Sequence, residues 1–292
     1  MSNHSDKKRI IKHYNTKWRD FERLIHSDET LGIHLGFYEK GIKTIDEASI
    51  NMNEYVGKLL ELEKNKTKNR RILDAGCGVG GTSIYLAKKY PNYTFIGISI
   101  VSEQIRHAKH FAQRNDVNTN TEFIIKDFCR TDFKDKSFDD VFALESSCYS
   151  KSKKEFINEV SRIIKPDGRF VIIDGFLMKN ITNYFANEAY RYYCDLFSVE
   201  NFAEINNFII NLKESGFNNI EVKDITRYVL LFLLIGSLKG LGNYIKCIMK
   251  NEHNESSRYK SPLKYMILKI FSPLIILLSR KFRYLSISCN KV

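Results

Sequence analysis

Residues 73–81 read LDAGCGVGG, and no other stretch limits the folds open to this chain so tightly. The apolar run ILDA (72–75) precedes three glycines, Gly76, Gly78 and Gly81, and TSIYLAKKY follows with Ile84, Leu86 and Ala87 able to share a helix face. Glycines at that spacing let a strand turn at once into a helix, because glycine enters left-handed backbone conformations without steric cost. The unit then recurs. YTFIGI (93–98) is a β-rich run, and SEQIRHAKHFAQR (102–114) opens on a serine suited to a cap and sets Ile105, Ala108 and Ala112 at helical spacing. TEFIIK (121–126), FDDVFALE (138–145) and GRFVIID (168–174) read as further strands, with KKEFINEVSRIIK (153–165) a helix stopped by Pro166 and turned by Asp167-Gly168. Strands that are continuously apolar and alternate with helices predict an α/β fold, doubly wound around a mostly parallel sheet. Beyond this unit, 180–214 reads as an aromatic helical stretch, NIEVKDI (219–225) as a strand and RYLSISC (283–289) as a final strand.

The glycine spacing satisfies GxGxxG, the fingerprint of a loop that holds a dinucleotide pyrophosphate at a helix N-terminus. Two residues oppose that ligand. Asp74 sets a carboxylate just before the turn, where it would repel phosphate, and the second strand ends in GISI where an acid would grip a ribose. A carboxylate at Asp74 instead attracts an ammonium, or accepts bonds from the amides of the turn and orders the loop. S-adenosylmethionine joins an adenosine to an ammonium, a carboxylate and a sulfonium, and carries no phosphate.

On these residues the chain resembles the class I methyltransferases that depend on S-adenosylmethionine. ILDAGCGVGGTSIYLAKKY, GISI followed by SEQ, KDF (126–128) and FALESSCY (142–149) are similar to the sterol, tocopherol and small-molecule C-, N- and O-methyltransferase group, over roughly residues 10–175. The resemblance implies a Rossmann-like seven-stranded sheet closed by an antiparallel strand at RYLSISCNKV. It also divides the chain into an N-terminal helical cap (1–66) and a cofactor-binding α/β core (67–175). A helical aromatic insertion over the substrate (176–216) follows, then the end of the sheet (217–292) with a basic, apolar helical insertion at 226–282.

Carried over residue by residue, the resemblance places Asp74, Gly76, Gly78 and Gly80 around the methionine half and ribose, and Ser99 and Gln104 on the ribose side. Asp127 would meet the adenine amino group, with Phe128 against the ring; a turn residue and a core aromatic are the alternatives. Tyr14 in HYN (13–15) would close over the cofactor, while WRDF (18–21) continues the cap and Trp18 reads as core. His34, from the LHxGyw-like GIHLGFY (32–38), would face the shared cavity as a catalytic candidate or serve as a structural histidine. At the end of the fourth strand the group has glutamate, a small residue, then a histidine aligned with Tyr149, so this chain lacks that base. Glu145 becomes the candidate base or cation stabiliser, or else a carboxylate of the cofactor shell, and Tyr149 an orienting or packed aromatic. No metal is implied.

The aromatics of 180–214, Tyr184, Phe185, Tyr190, Tyr192, Tyr193, Phe197, Phe202 and Phe208, suit either a core or the wall of a prenyl or sterol pocket, whose ring faces stabilise a carbocation by about 0.5–2 kcal/mol per contact. The resulting expectation is C-methylation of an isoprenoid, prenyl diphosphate or sterol-like, with O- or N-methylation of a natural product, quinone, sugar or amino alcohol as the alternative. Charge adds a further clue. Twelve Lys or Arg against two acids in 226–292 supply ten of the chain's net +12, beside long apolar runs. That pattern fits an anionic lipid surface, an anionic amphiphilic ligand, or a helix with one solvated and one buried face. No nucleic-acid methyltransferase motif accompanies it. The six cysteines form no CxxC pair, no segment reads as a secretory signal, and the apolar runs 228–236 and 265–279 are short of a bilayer span, so a cytoplasmic protein with at most peripheral membrane contact is expected.

Overall fold

The computed structural model describes residues 7–16, 30–65, 69–249 and 263–292. Trp18 with WRDF, and residues 250–262 of the basic insertion, lie outside the described residues. Seven strands form one sheet: β1 (Arg71–Ala75), β2 (Thr94–Ser99), β3 (Thr121–Ile125), β4 (Phe138–Leu144), β5 (Ile164–Leu177), β6 (Phe217–Asp224) and β7 (Phe282–Lys291). Their order is β3-β2-β1-β4-β5-β7-β6, with β7 antiparallel to both neighbours and the other described pairings parallel. The chain winds outward from β1 to β3 and then returns to β4 on the other side of β1. Ligands in such sheets lie beyond the strand ends at this reversal.

Residues 7–16 form α1, followed by α2 (Ile45–Leu59), α3 (Gly81–Lys89), α4 (Ser102–Arg114), α5 (Lys153–Ile163), α6 (Tyr184–Phe197), α7 (Ile205–Glu214), α8 (Thr226–Met249) and α9 (Leu263–Leu278). Successive strand residues enter opposite layers. Ile72 and Phe142 pack with α2 and α3 residues such as Met52, Val56, Ile84 and Leu86, whereas Leu73, Val141 and Ala143 pack with Phe156, Val160 and Phe208 of α5 and α7. Both faces of the central strands are therefore dry, which is why they read as unbroken apolar runs.

Three local expectations are corrected. Helix α4 begins at Ser102 but is capped by Val101, whose N–H donates to Ser99 Oγ (3.1 Å), so Ser99 orders the turn that Ser102 was expected to cap. Helix α5 ends at Ile163, because Ile164 already pairs with Phe138, and Pro166-Asp167-Gly168 falls within β5 where the register shifts, Asp167 taking a φ of +63°. The 180–214 stretch is two helices, separated where Ser198 turns left-handed (φ +55°) and Val199 N–H bonds back to Cys194 O (2.9 Å). Among the described residues no helix is long and apolar enough to cross a membrane.

Candidate functional site

Two adjoining cavities open at the strand ends, and both are lined by Tyr14, Gly76, Gly78, Gln104, Glu145 and Tyr149. One continues over Asp74, Thr82, His34 and Phe197, the other over Ser99, Asp127, Phe128 and Lys7. β1, β2, β3 and β4 thus each deliver polar groups to one crevice at the point where the winding reverses.

The loop's glycines have separate tasks. Gly76 (φ +105°) lies so close to Ser146 that a Cβ would come within 2.3 Å of the serine Cβ, so it lets β4's end approach β1. Gly78 (φ +54°) would point a Cβ into open space, leaving room for a ligand against the backbone. Gly80 (φ +84°) caps α3 and lies 2.7 Å, measured from its ideal Cβ, from the Phe123 ring; it is absent from the cavity linings, which take Val79 and Gly81 instead. The turn and the close approach of Phe123 are what require glycine at position 80.

Asp74 is buried and accepts one bond, from Ser83 Oγ of α3 (2.7 Å). No turn amide is its partner. Burial with so little compensation pushes its carboxyl up to about 7, so a cation placed in the cavity would restore its charge. Ser99 Oγ donates to Gln104 Oε1 (2.8 Å) as well as accepting from Val101, which leaves Gln104 as the residue of the pair that reaches both cavities. Asp127 accepts from Cys129 N–H (2.8 Å) and pairs with Lys7 Nζ (2.5 Å). Phe128 lines the cavity and also packs edge-on against Phe156 (5.1 Å).

Helix α1 lies across the mouth. Lys7, Ile10 and Tyr14, at i, i+3 and i+7, share the face that lines the second cavity. Tyr14 donates its hydroxyl to Tyr149 (2.9 Å), and Tyr149 donates to Phe197 O (3.0 Å). The Tyr149 hydroxyl is thus committed in both directions, and burial holds its pKa well above the ordinary value. With its hydroxyl so bonded, it is not placed to take a proton. Asp174 fixes the turn that carries it, accepting from Ser147 Oγ (2.6 Å) and Cys148 N–H (2.8 Å).

His34 is corrected as a catalytic candidate. Its Nδ1 lies 3.1 Å from Leu35 O and its Nε2 3.1 Å from Asn53 Oδ1, which also accepts from Thr82 Oγ1 (2.7 Å). Burial lowers its pKa, and each ring nitrogen lies within hydrogen-bond distance of a buried protein oxygen, the tautomer deciding which of the two accepts its proton. No ring nitrogen is left for a substrate.

Glu145 follows β4 in a left-handed conformation (φ +51°) that turns its side chain into the shared part of the crevice. Its Oε1 accepts from Leu35 N–H (2.8 Å) and from the hydroxyl of Tyr284 on β7. Oε2 has no bonded partner among the described residues. Burial pushes the carboxyl up to about 7 despite both bonds. Sequence reading missed Tyr284, Leu35 and Lys7, and Tyr284 carried no signal: a tyrosine in an apolar terminal strand reads as core. Of the eight aromatics in 180–214, Phe197 reaches the cavity; Tyr193 and Phe202 stack on each other (5.4 Å), Phe208 is core, and Tyr184 and Phe185 are exposed.

Comparison with known proteins identifies the family and the fold. The methyltransferase domain family model matches residues 66–223, more than half of the chain. The methyltransferase phqN of Penicillium fellutanum is 30% identical over 113 residues, covering 39% of this chain and 34% of that protein. The sterol 24-C-methyltransferase ERG6 of Saccharomyces cerevisiae is 31% identical over 103 residues, covering 35% of this chain and 27% of that protein. The matches therefore span about a third of these relatives' length. Geranyl diphosphate C-methyltransferase from Streptomyces coelicolor A3(2), solved with Mg2+, geranyl diphosphate and S-adenosyl-L-homocysteine, shares the fold with a TM-score of 0.72 at 16% identity, over 98% of both chains.

Proposed function

The chain belongs to the methyltransferase domain family, which works with S-adenosylmethionine, and from that premise we propose that it methylates carbon in a neutral, lipophilic, isoprenoid-type acceptor. When bound, that cofactor supplies an electrophilic methyl group. The residues fit it: Gly78 leaves room along the backbone, Asp74 faces the cavity with a carboxyl that an ammonium would ionise, and Gln104 reaches both halves. Asp127 and Phe128 would take the adenine end, with Asp127 exchanging Lys7 for the amino group.

Glu145 carries the proposal. Its Oε1 is anchored by two donors, its Oε2 has no bonded partner among the described residues, and the residue lines both cavities, so it would act as a fixed carboxylate with one working oxygen. Methylation of an alkene puts positive charge on the neighbouring carbon, and loss of a proton from the adjacent position restores the double bond. Glu145 would stabilise that charge through space and then receive the proton on Oε2, its pKa near 7 matching the task. Tyr14, Tyr149 and Phe197 would wall the acceptor and exclude water.

This lining supports the sterol-like acceptor over the prenyl diphosphate. Glu145 stands where the acceptor would lie and repels an anion, while the lining lysines, Lys7 and Lys151, are on the adenine side. The same carboxylate favours an amine as the second reading, methylated at nitrogen. A substrate panel of neutral polyprenoid and sterol alkenes, geranyl diphosphate and lipophilic amines, with products located by mass spectrometry and NMR, tests this. Methylation of a neutral alkene at carbon is expected. Turnover of diphosphates alone, or of hydrophilic amines or sugars alone, would overturn the proposal.

A further inference from the structure

Helix α8 is apolar on two opposite sides. Its inner side is accounted for: Val229 and Leu233 are buried, Ser237 Oγ donates to Ile270 O of α9 (3.0 Å), and the Phe232 ring crowds Gly36. The outer side is not. Leu231, Leu234, Leu238 and Ile245 are each 40% exposed or more, and at 100° per residue they fall within an arc of about 60°, a stripe about 21 Å long. Four large aliphatic side chains aligned over that length are a surface, unlike isolated exposed residues.

The charges around the stripe select what would cover it. Helices α8 and α9 contain Arg227, Lys239, Lys246, Lys264 and Lys269 and no acid, within a segment that holds ten of the chain's twelve net positive charges. Arg227 and Lys239 are exposed at the start and middle of the stripe. A second copy of the same surface would bring like charges together, whereas an anionic bilayer accepts both the aliphatic row and the cations. We infer that the outer face of α8 docks on an anionic lipid surface, with Leu231, Leu234, Leu238 and Ile245 entering the headgroup boundary and Arg227 and Lys239 meeting the lipid charge.

The docked helix leads to the acceptor side of the site. Tyr38 N–H donates to Tyr228 O (2.8 Å) and Phe37 packs on Tyr228 (4.5 Å), so the inner face of α8 holds the segment that carries His34 and the Leu35 amide that anchors Glu145. A lipophilic acceptor would then have a short path from bilayer to crevice. This last step rests on the proposed function; the docking itself does not.

The test is sedimentation of the full chain with vesicles of phosphatidylcholine alone and of phosphatidylcholine with about a third phosphatidylserine. The protein is expected to sediment with the anionic vesicles and to be released by raising salt. Leu231→Ser/Leu234→Ser/Leu238→Ser should weaken binding at least about tenfold, and Lys239→Gln by a few-fold, with S-adenosylhomocysteine binding and methylation of a detergent-dispersed acceptor unchanged. If the triple variant fails to fold by circular dichroism, Lys239→Gln and the salt series carry the test. Failure of the wild type to bind either vesicle, equal binding by wild type and variants, or a dimer in sedimentation equilibrium that the triple variant dissolves without any vesicle binding would each overturn the inference. An inactive protein that still binds vesicles would count against the proposed function alone.

Discussion

On the cofactor side of the crevice, Asp74, Gly76, Gly78, Ser99, Gln104 and Asp127 come from one stretch of chain, at the ends of three consecutive strands. On the acceptor side, Glu145 is held by Leu35 from before α2 and Tyr284 from the last strand, and is walled by Tyr14 from α1 and Phe197 from α6. The first half is set by local rules of strand, turn and helix. The second exists only when distant segments assemble around one carboxylate. Cofactor capture and acceptor chemistry should therefore fail separately.

The largest separation is expected at Glu145. Glu145→Gln should keep S-adenosylhomocysteine affinity within a few-fold while kcat falls by about 10²–10⁴, the usual worth of a positioned base; comparable losses in both would merge the two halves. The same variant should alter stability in a pH-dependent way. Above about 4.5 an unfolded glutamate has released its proton, whereas the folded one keeps it up to about 7. The stability this group contributes is full below the first value and lost as pH rises through the second. Thermal melts of Glu145→Gln against wild type should keep one separation below about 4.5, shift in the variant's favour between about 4.5 and 7, and hold the new separation above it.

Asp74→Asn should act on the other half, weakening S-adenosylhomocysteine by about 10–100-fold in calorimetry, the scale of a bond to a charged group. Tyr284→Phe should lower turnover about tenfold and leave cofactor affinity unchanged. Since the Tyr284 bond favours the ionised carboxylate, its loss raises the pKa of Glu145, and the acid limb of the pH–rate profile should move to higher pH. Lys7→Ala is the smallest effect. A partly exposed ion pair contributes about 1 kcal/mol at most, and freeing Asp127 should leave cofactor affinity equal or improved by a few-fold; a large loss would make Lys7 a ligand contact.

The same contrast explains what could be read in advance. The doubly wound sheet follows from periodicity, whereas the antiparallel closing strand and the cofactor come from the family resemblance carried by LDAGCGVGG together with GISI, KDF and FALESSCY. The packing of Gly80 against Phe123 was illegible because glycine spacing does not say which side chain comes close to it. His34 looked available because its partners, Asn53 and Leu35, belong to no motif. Most of the 180–214 aromatics proved to be packing or surface, since helical spacing gives a face without saying what covers it. Tyr284 was illegible because its bond to Glu145 joins residues 139 apart.

The central claim is that the glycine turn and Asp74 form a phosphate-free cofactor site that works without the acceptor side. Calorimetric titration of wild type and Glu145→Gln with S-adenosylhomocysteine, and of both with NADH, tests it most directly. Micromolar binding of S-adenosylhomocysteine to both proteins, with none for NADH, is the predicted result. Binding of NADH, or no binding of S-adenosylhomocysteine to either protein, would contradict it.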